Sequence, residues 1–197
     1  MMNKPHLPTR LTEHLHSAMK LLRDRSGVAA VEFALILPFL LILLIGMAET
    51  TSALSFKRKL SQTAFSVTDL VSQSSALTSS DMTDLMVAAD AIMEPFSADG
   101  MTVIVASITF DAKSKPTVDW SVNQAGTTPW SKGSTPPITI PAGVTTASTT
   151  IIVGQAKASY TLMFGSLLQN IFPRAATISM EDTYFLLPRL SDTVTFN

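Results

Sequence analysis

From Val28 to Ala48 the chain is apolar, broken only by Glu32. Those 21 residues rise about 31 Å as an α-helix, enough to cross the ~30 Å hydrocarbon core of a bilayer. No other feature constrains the fold as much, because one helix is committed to a membrane and the rest must be arranged around it. Arg23, Arg25 and Gly27 lie just before the run, and a carboxylate occupies its fifth position. An acidic group so placed suggests a subunit built for assembly rather than an enzyme.

The formal charge of -1 conceals an asymmetry. Up to Gly27 the chain carries Lys4, Arg10, Lys20, Arg23 and Arg25 against Glu13 and Asp24. Lys57, Arg58 and Lys59 follow the run, and from Leu60 onward eleven acidic residues face six basic ones. An acidic outer domain is poorly suited to nucleic-acid backbones. Lys20, Arg23 and Arg25 favour a cytoplasmic N-terminus, with Lys57 to Lys59 pulling the other way. A cleaved secretory signal fits less well: the run is long for one and starts after 27 residues, although the small residues of MAETTSA would permit cutting near Ala53.

Residues 1–16 contain Pro5 and Pro8 and read as a cytoplasmic tail. Pro38 removes one hydrogen bond inside the apolar helix and should bend it. Beyond Glu49 the helix is expected to continue, since Leu60, Ala64, Val67 and Val71 recur at spacings of three and four. QSSALTSS reads as a break, and Thr78 with Asp81 as a capping box for a second helix. Met82, Leu85, Met86, Ala89 and Met93 form its apolar face, and Pro95 stops it.

The period then changes to two. Ile104, Ala106, Ile108 and Phe110 share one side of a strand, and Val118, Trp120 and Val122 one side of the next. Residues 123–149 read as a long surface loop with a short edge strand at Ile138 to Ile140. Further strands are expected over Thr150–Leu162 and Thr177–Leu187 and near Val194 and Phe196, with a helical turn at Gly165–Ile171. The fold class is α+β: a single N-terminal transmembrane helix, extended by amphipathic helices and followed by a small antiparallel β-sheet domain.

Most familiar chemistry lacks its residues. There is no cysteine, which excludes disulfides and thiolate sites. His6, His14 and His16 all lie in the tail, so the C-terminal domain has no Ser-His-Asp triad and no histidine for a metal site. Gly154-Gln155-Ala156-Lys157 lies in an alternating strand and is no phosphate loop. Glu181 and Asp182 point to opposite strand faces and read as solubilising surface. We expect no catalytic residue, no metal and no cofactor. Glu32, about 6 Å inside the run, either snorkels to headgroups or is buried against a partner's positive charge.

The stretch Gly27-Val28-Ala29-Ala30-Val31-Glu32-Phe33-Ala34-Leu35 resembles the processing site of type IV prepilins. It is more similar still to the TadE/TadG-type minor pilins, or pseudopilins, of tight-adherence pili, a pattern that Pro38 and the apolar run after it also match. Ala88 to Pro95 and Tyr184 to Arg189 are similar less specifically. Val28 departs from the phenylalanine usual at the first mature position of type IV pilins. The resemblance implies that a prepilin peptidase cuts between Gly27 and Val28, with possible N-methylation of Val28, and makes Glu32 the fifth mature residue. It implies an assembly role for Glu32, Phe33 and Pro38, with other pilins, the assembly platform, the peptidase and inner-membrane lipid as partners. The expected organisation is then a basic leader over 1–27, a transmembrane helix over 28–48, amphipathic helices over 49–95 and a sheet domain over 96–197. The chain would be N-in, with its C-terminal domain periplasmic and a place in adhesion through a surface pilus. The other reading is an uncleaved single-pass protein whose periplasmic domain binds an envelope partner.

Overall fold

A computed structural model describes residues 26–165 and 177–197. The expected leader up to Arg25, with Lys20, Arg23 and Arg25, lies outside the described residues, as does most of the turn expected at Gly165–Ile171. Helix α1 (Ser26–Ser72) holds Pro38 in its interior. It leads to β1 (Ala76–Leu77), α2 (Ser79–Met93), β2 (Thr102–Phe110), β3 (Pro116–Asn123), β4 (Thr150–Thr161), β5 (Thr177–Leu186) and β6 (Thr195–Phe196). The chain is therefore α+β, a long apolar N-terminal helix followed by a small antiparallel sheet domain. It divides after Ala48 into two units.

In the first unit, residues 27–44 of α1 are exposed on every side. This helix is long and apolar enough to cross a membrane, and a helix hydrophobic all round requires an apolar environment all round.

The second unit begins at Glu49 and is built on a sheet of order β3-β2-β4-β5. All three pairings are antiparallel. One face packs against α1 and α2 through Phe56, Leu60, Ala64, Val67, Val71, Met82, Met86, Ala89 and Met93, which meet Val103, Val105, Ile152 and Ala156. The three-and-four stripe of α1 is thus the core-facing one. Leu85 packs at its margin. Thr78 and Asp81 form the reciprocal capping box, and the two hydrogen bonds to the carboxylate depress the Asp81 pKa. Helix α1 approaches β4 so closely that a Cβ on Gly154 would lie 1.8 Å from Thr68 Oγ1. The glycine in this strand is there for helix contact.

Five expectations need correction. The sheet is buried on both faces over β2, β3 and the first half of β4, because the loop after β3 folds back over the second one there, while Lys157, Ser159 and Thr161 farther along β4 stay exposed. Trp130, Ile138, Ile140 and Val144 pack there against Ala106, Ile108, Phe110, Val118, Ile151 and Val153. Ile138 to Ile140 form no strand; a 3-10 turn, Ala142–Val144, follows them. Val118 and Val122 also lie in different cores rather than on one side. Ser107 pairs with Trp120 and Ile108 with Val118, leaving Asp119 as the extra residue of a β-bulge that reverses the phase of β3. Asp119 turns its carboxylate to accept from Ser107 Oγ (3.0 Å) and Thr109 Oγ1 (2.6 Å).

The fourth correction concerns Glu181 and Asp182, which do more than solubilise. Asp182 pairs with Lys57 of α1 at 3.1 Å, while Glu181 meets Lys157 and Gln155 of β4. QSSALTSS also holds more than a break: β1 within it pairs in parallel with β6. Arg189 pairs with Asp69 of α1 and donates its backbone N–H to Ser72 O, and Trp120 Nε1 donates to Val194 O. The C-terminal segment is thereby tied to the helical layer.

Candidate assembly site

Gly27, Val28, Glu32, Phe33 and Pro38 all lie on α1. Gly27 belongs to its first turn, where a Cβ would meet nothing within 4 Å. Among the described residues neither backbone conformation nor packing calls for glycine there, and in a helix it costs roughly 1 kcal/mol relative to alanine.

Val28 and Glu32 are four residues apart, so they sit one above the other on the same helix face. The stripe continues through Leu35, Phe39 and Ile42, all exposed, with Phe39 the most open at 73 %. Glu32 is exposed, and no cation pairs with it among the described residues. Phe33, also exposed, is turned by one residue from this stripe. Pro38 lies six residues beyond Glu32, about 120° around the helix from it, and borders the stripe beside Leu35 and Ile42. The structure therefore joins Val28 and Glu32 in one surface, with Pro38 at its edge and Phe33 apart from it. An apolar face carrying a single carboxylate one turn from Val28 can hold an amine, provided that a neighbour's apolar helix excludes water around the pair.

A second carboxylate escaped the sequence reading. Glu49, the first residue of the second unit, is only 7 % exposed. Its Oε2 accepts from Tyr160 Oη at 3.2 Å and its Oε1 from the Phe164 N–H at 2.5 Å. Burial raises the Tyr160 pKa, and the hydrogen bond and negative charge of Glu49 raise it further, so the hydroxyl remains a donor. The Tyr160 ring lies 5.3 Å from Phe56, which meets Phe96 edge-on at 5.4 Å. Glu49 thus ties α1 to the end of β4 and the turn after it. The signal was present: the core stripe, followed back from Leu60 through Phe56 and Ala53 at the same spacings, arrives at Glu49.

Comparison with known proteins bears on this helix. No curated protein and no solved structure matches the chain. Residues 27–67, which start at Gly27 and run through the apolar stretch into the outer part of α1, match the model of the family described as TadE-like protein, and this stretch is TadE-like.

Proposed function

We propose that the protein is a minor pilin or pseudopilin that takes part in assembling a tight-adherence pilus. The observation that carries the reading is the TadE-like match beginning at Gly27, a glycine where a Cβ would meet nothing within 4 Å among the described residues. A prepilin peptidase that reads this position from the cytoplasmic side gives this glycine its role.

Cutting after Gly27 frees the α-amino group of Val28, whose ordinary pKa of about 8 leaves it largely protonated at neutral pH. Within one chain Glu32 sits a turn from that amine; between chains it can meet the Val28 amine of a neighbour. An intermolecular pair of this kind lowers the cost of placing a charge in apolar surroundings and fixes the axial register of packed helices. Lys20, Arg23 and Arg25 hold the leader on the cytoplasmic side, and the outer unit is periplasmic. Phe33 and Pro38 shape the surface against which neighbouring helices pack. Other pilins, the assembly platform and the inner-membrane lipid are the partners of this account.

Intact mass of the chain recovered from the envelope tests it. The reading expects a form starting at Val28, and a form that retains the leader when Gly27 is replaced by leucine. A wild-type population still starting at Met1 beside an active peptidase would instead support an uncleaved anchor carrying a periplasmic binding domain.

A further inference from the structure

We propose that the outward face of α1 from Leu54 to Phe65 docks the outward face of α2 of a second copy of this chain. The proposal rests on the assembly reading above and names where the outer units of neighbouring subunits touch.

At 3.6 residues per turn, Leu54, Arg58, Gln62 and Phe65 fall within an arc of about 80°. That arc lies opposite the buried Phe56, Leu60, Ala64 and Val67. Leu54 is 54 % and Phe65 42 % exposed, so two apolar side chains bracket a cation and an amide. Lys57 is engaged by Asp182, whereas Arg58 and Lys59 have no ion pair among the described residues. An open cleft of about 460 Å³, lined by Arg58, Lys59, Gln62 and Phe96 among others, lies alongside and offers room for a partner's side chain.

Helix α2 presents the complement. Asp84, Val87 and Ala91, with Glu94 at the C-cap, fall within a similar arc of about 80°, opposite the buried Met82, Met86, Ala89 and Met93. Val87 is 65 % exposed. Asp84, Asp90 and Glu94 have no ion pair among the described residues. From Leu60 to Ala112 the sequence carries seven acidic residues and no basic one, so nothing on this stretch neutralises the face. The two stripes also agree in length, about 17 Å for α1 and about 15 Å for α2 at the helical rise. Cations without an ion pair on one surface and carboxylates without one on the other, over equal reach, make the two complementary in charge and length. Because the two faces differ, the contact is heterologous: each copy offers α1 to one neighbour and α2 to the next, and the contact repeats.

The chain contains no cysteine, so single cysteines report cleanly. Two full-length, differently tagged chains, one with Leu54→Cys and the other with Val87→Cys, are co-expressed and their membranes oxidised. A mixed-tag disulfide product is expected. Arg58→Glu with Lys59→Glu in the first chain should reduce it about fivefold, the scale of one exposed ion pair turned repulsive. Asp84→Lys with Glu94→Lys in the second chain should restore it, which also shows that the reversed chains fold. No mixed-tag product, no response to charge reversal, or no restoration by the opposite reversal overturns the proposal. Cleavage after Gly27 and crosslinking around positions 28–32 are read in the same membranes. If these persist without the 54–87 product, the docking face alone is wrong; if they are absent, the assembly reading beneath it fails.

Discussion

Gly154→Ala places one methyl group where α1 crosses β4. The new Cβ would stand 1.8 Å from Thr68 Oγ1 and 3.1 Å from Ala64 O, against about 3.4 Å for ordinary contact. Thr68 must therefore retreat by about 1.6 Å. It has no easy retreat, being fully buried with its hydroxyl donated to Ala64 O at 2.5 Å. Overpacking of a tight core costs roughly 1–3 kcal/mol, and a clash this short with a held side chain belongs at the upper end. For a chain of this size about 3 kcal/mol corresponds to a Tm lower by roughly 6–12 °C. Thermal unfolding of the full chain in detergent, followed by fluorescence of Trp120 and Trp130, measures it. Thr68→Ala in the same chain removes the oxygen and should recover about 1 kcal/mol or more as coupling between the sites. Recovery should stay incomplete, because Thr68 Cβ and Ala64 O remain near. If Gly154→Ala unfolds within about 0.5 kcal/mol of the parent, or if Thr68→Ala recovers nothing, the account of this helix–sheet contact is wrong.

Tyr160→Phe removes one of the donors to buried Glu49 and should cost about 1–3 kcal/mol in the same unfolding assay. Since the Tyr160 pKa is raised on folding, the unfolded chain releases this proton first. Parental stability should therefore fall as pH rises beyond the ordinary tyrosine value of about 10, and Tyr160→Phe should abolish that part of the fall in a pH series of Tm. Thr78→Ala breaks the capping box of α2 and should cost about 1 kcal/mol. Hydrogen exchange should show the loss concentrated in residues 79–85.

Much of this architecture is carried by local patterns. The three-and-four spacing of Leu60, Ala64, Val67 and Val71 needs only one helix to be read, and the Thr78 box lies within four residues. What escaped depends on distant pairing. The loop after β3 looks solvated because proline, serine and threonine dominate it, yet four scattered apolar side chains suffice to cover part of a sheet face. Strand β6 finds β1 more than a hundred residues away through a two-residue ladder. The bulge at Asp119 shifts the register by one residue, which alternation alone does not announce. The candidate site divides in the same way. Gly27, Val28 and Glu32 form a contiguous motif, whereas Glu49 becomes meaningful only once Tyr160 and Phe164 are folded against it.

The central claim is a charge pair between the new N-terminus and Glu32 of a neighbouring subunit. Zero-length carbodiimide coupling on envelopes, followed by peptide mass spectrometry, reads that contact directly, because it joins an amine to a carboxylate only when they touch. Mixed isotopic labelling of two subunit populations separates links between chains from links within one. The account predicts an intermolecular amide from the Val28 nitrogen to Glu32, lost in Glu32→Gln together with piliation. Absence of the amide in wild-type envelopes, with piliation unchanged in Glu32→Gln, would contradict it.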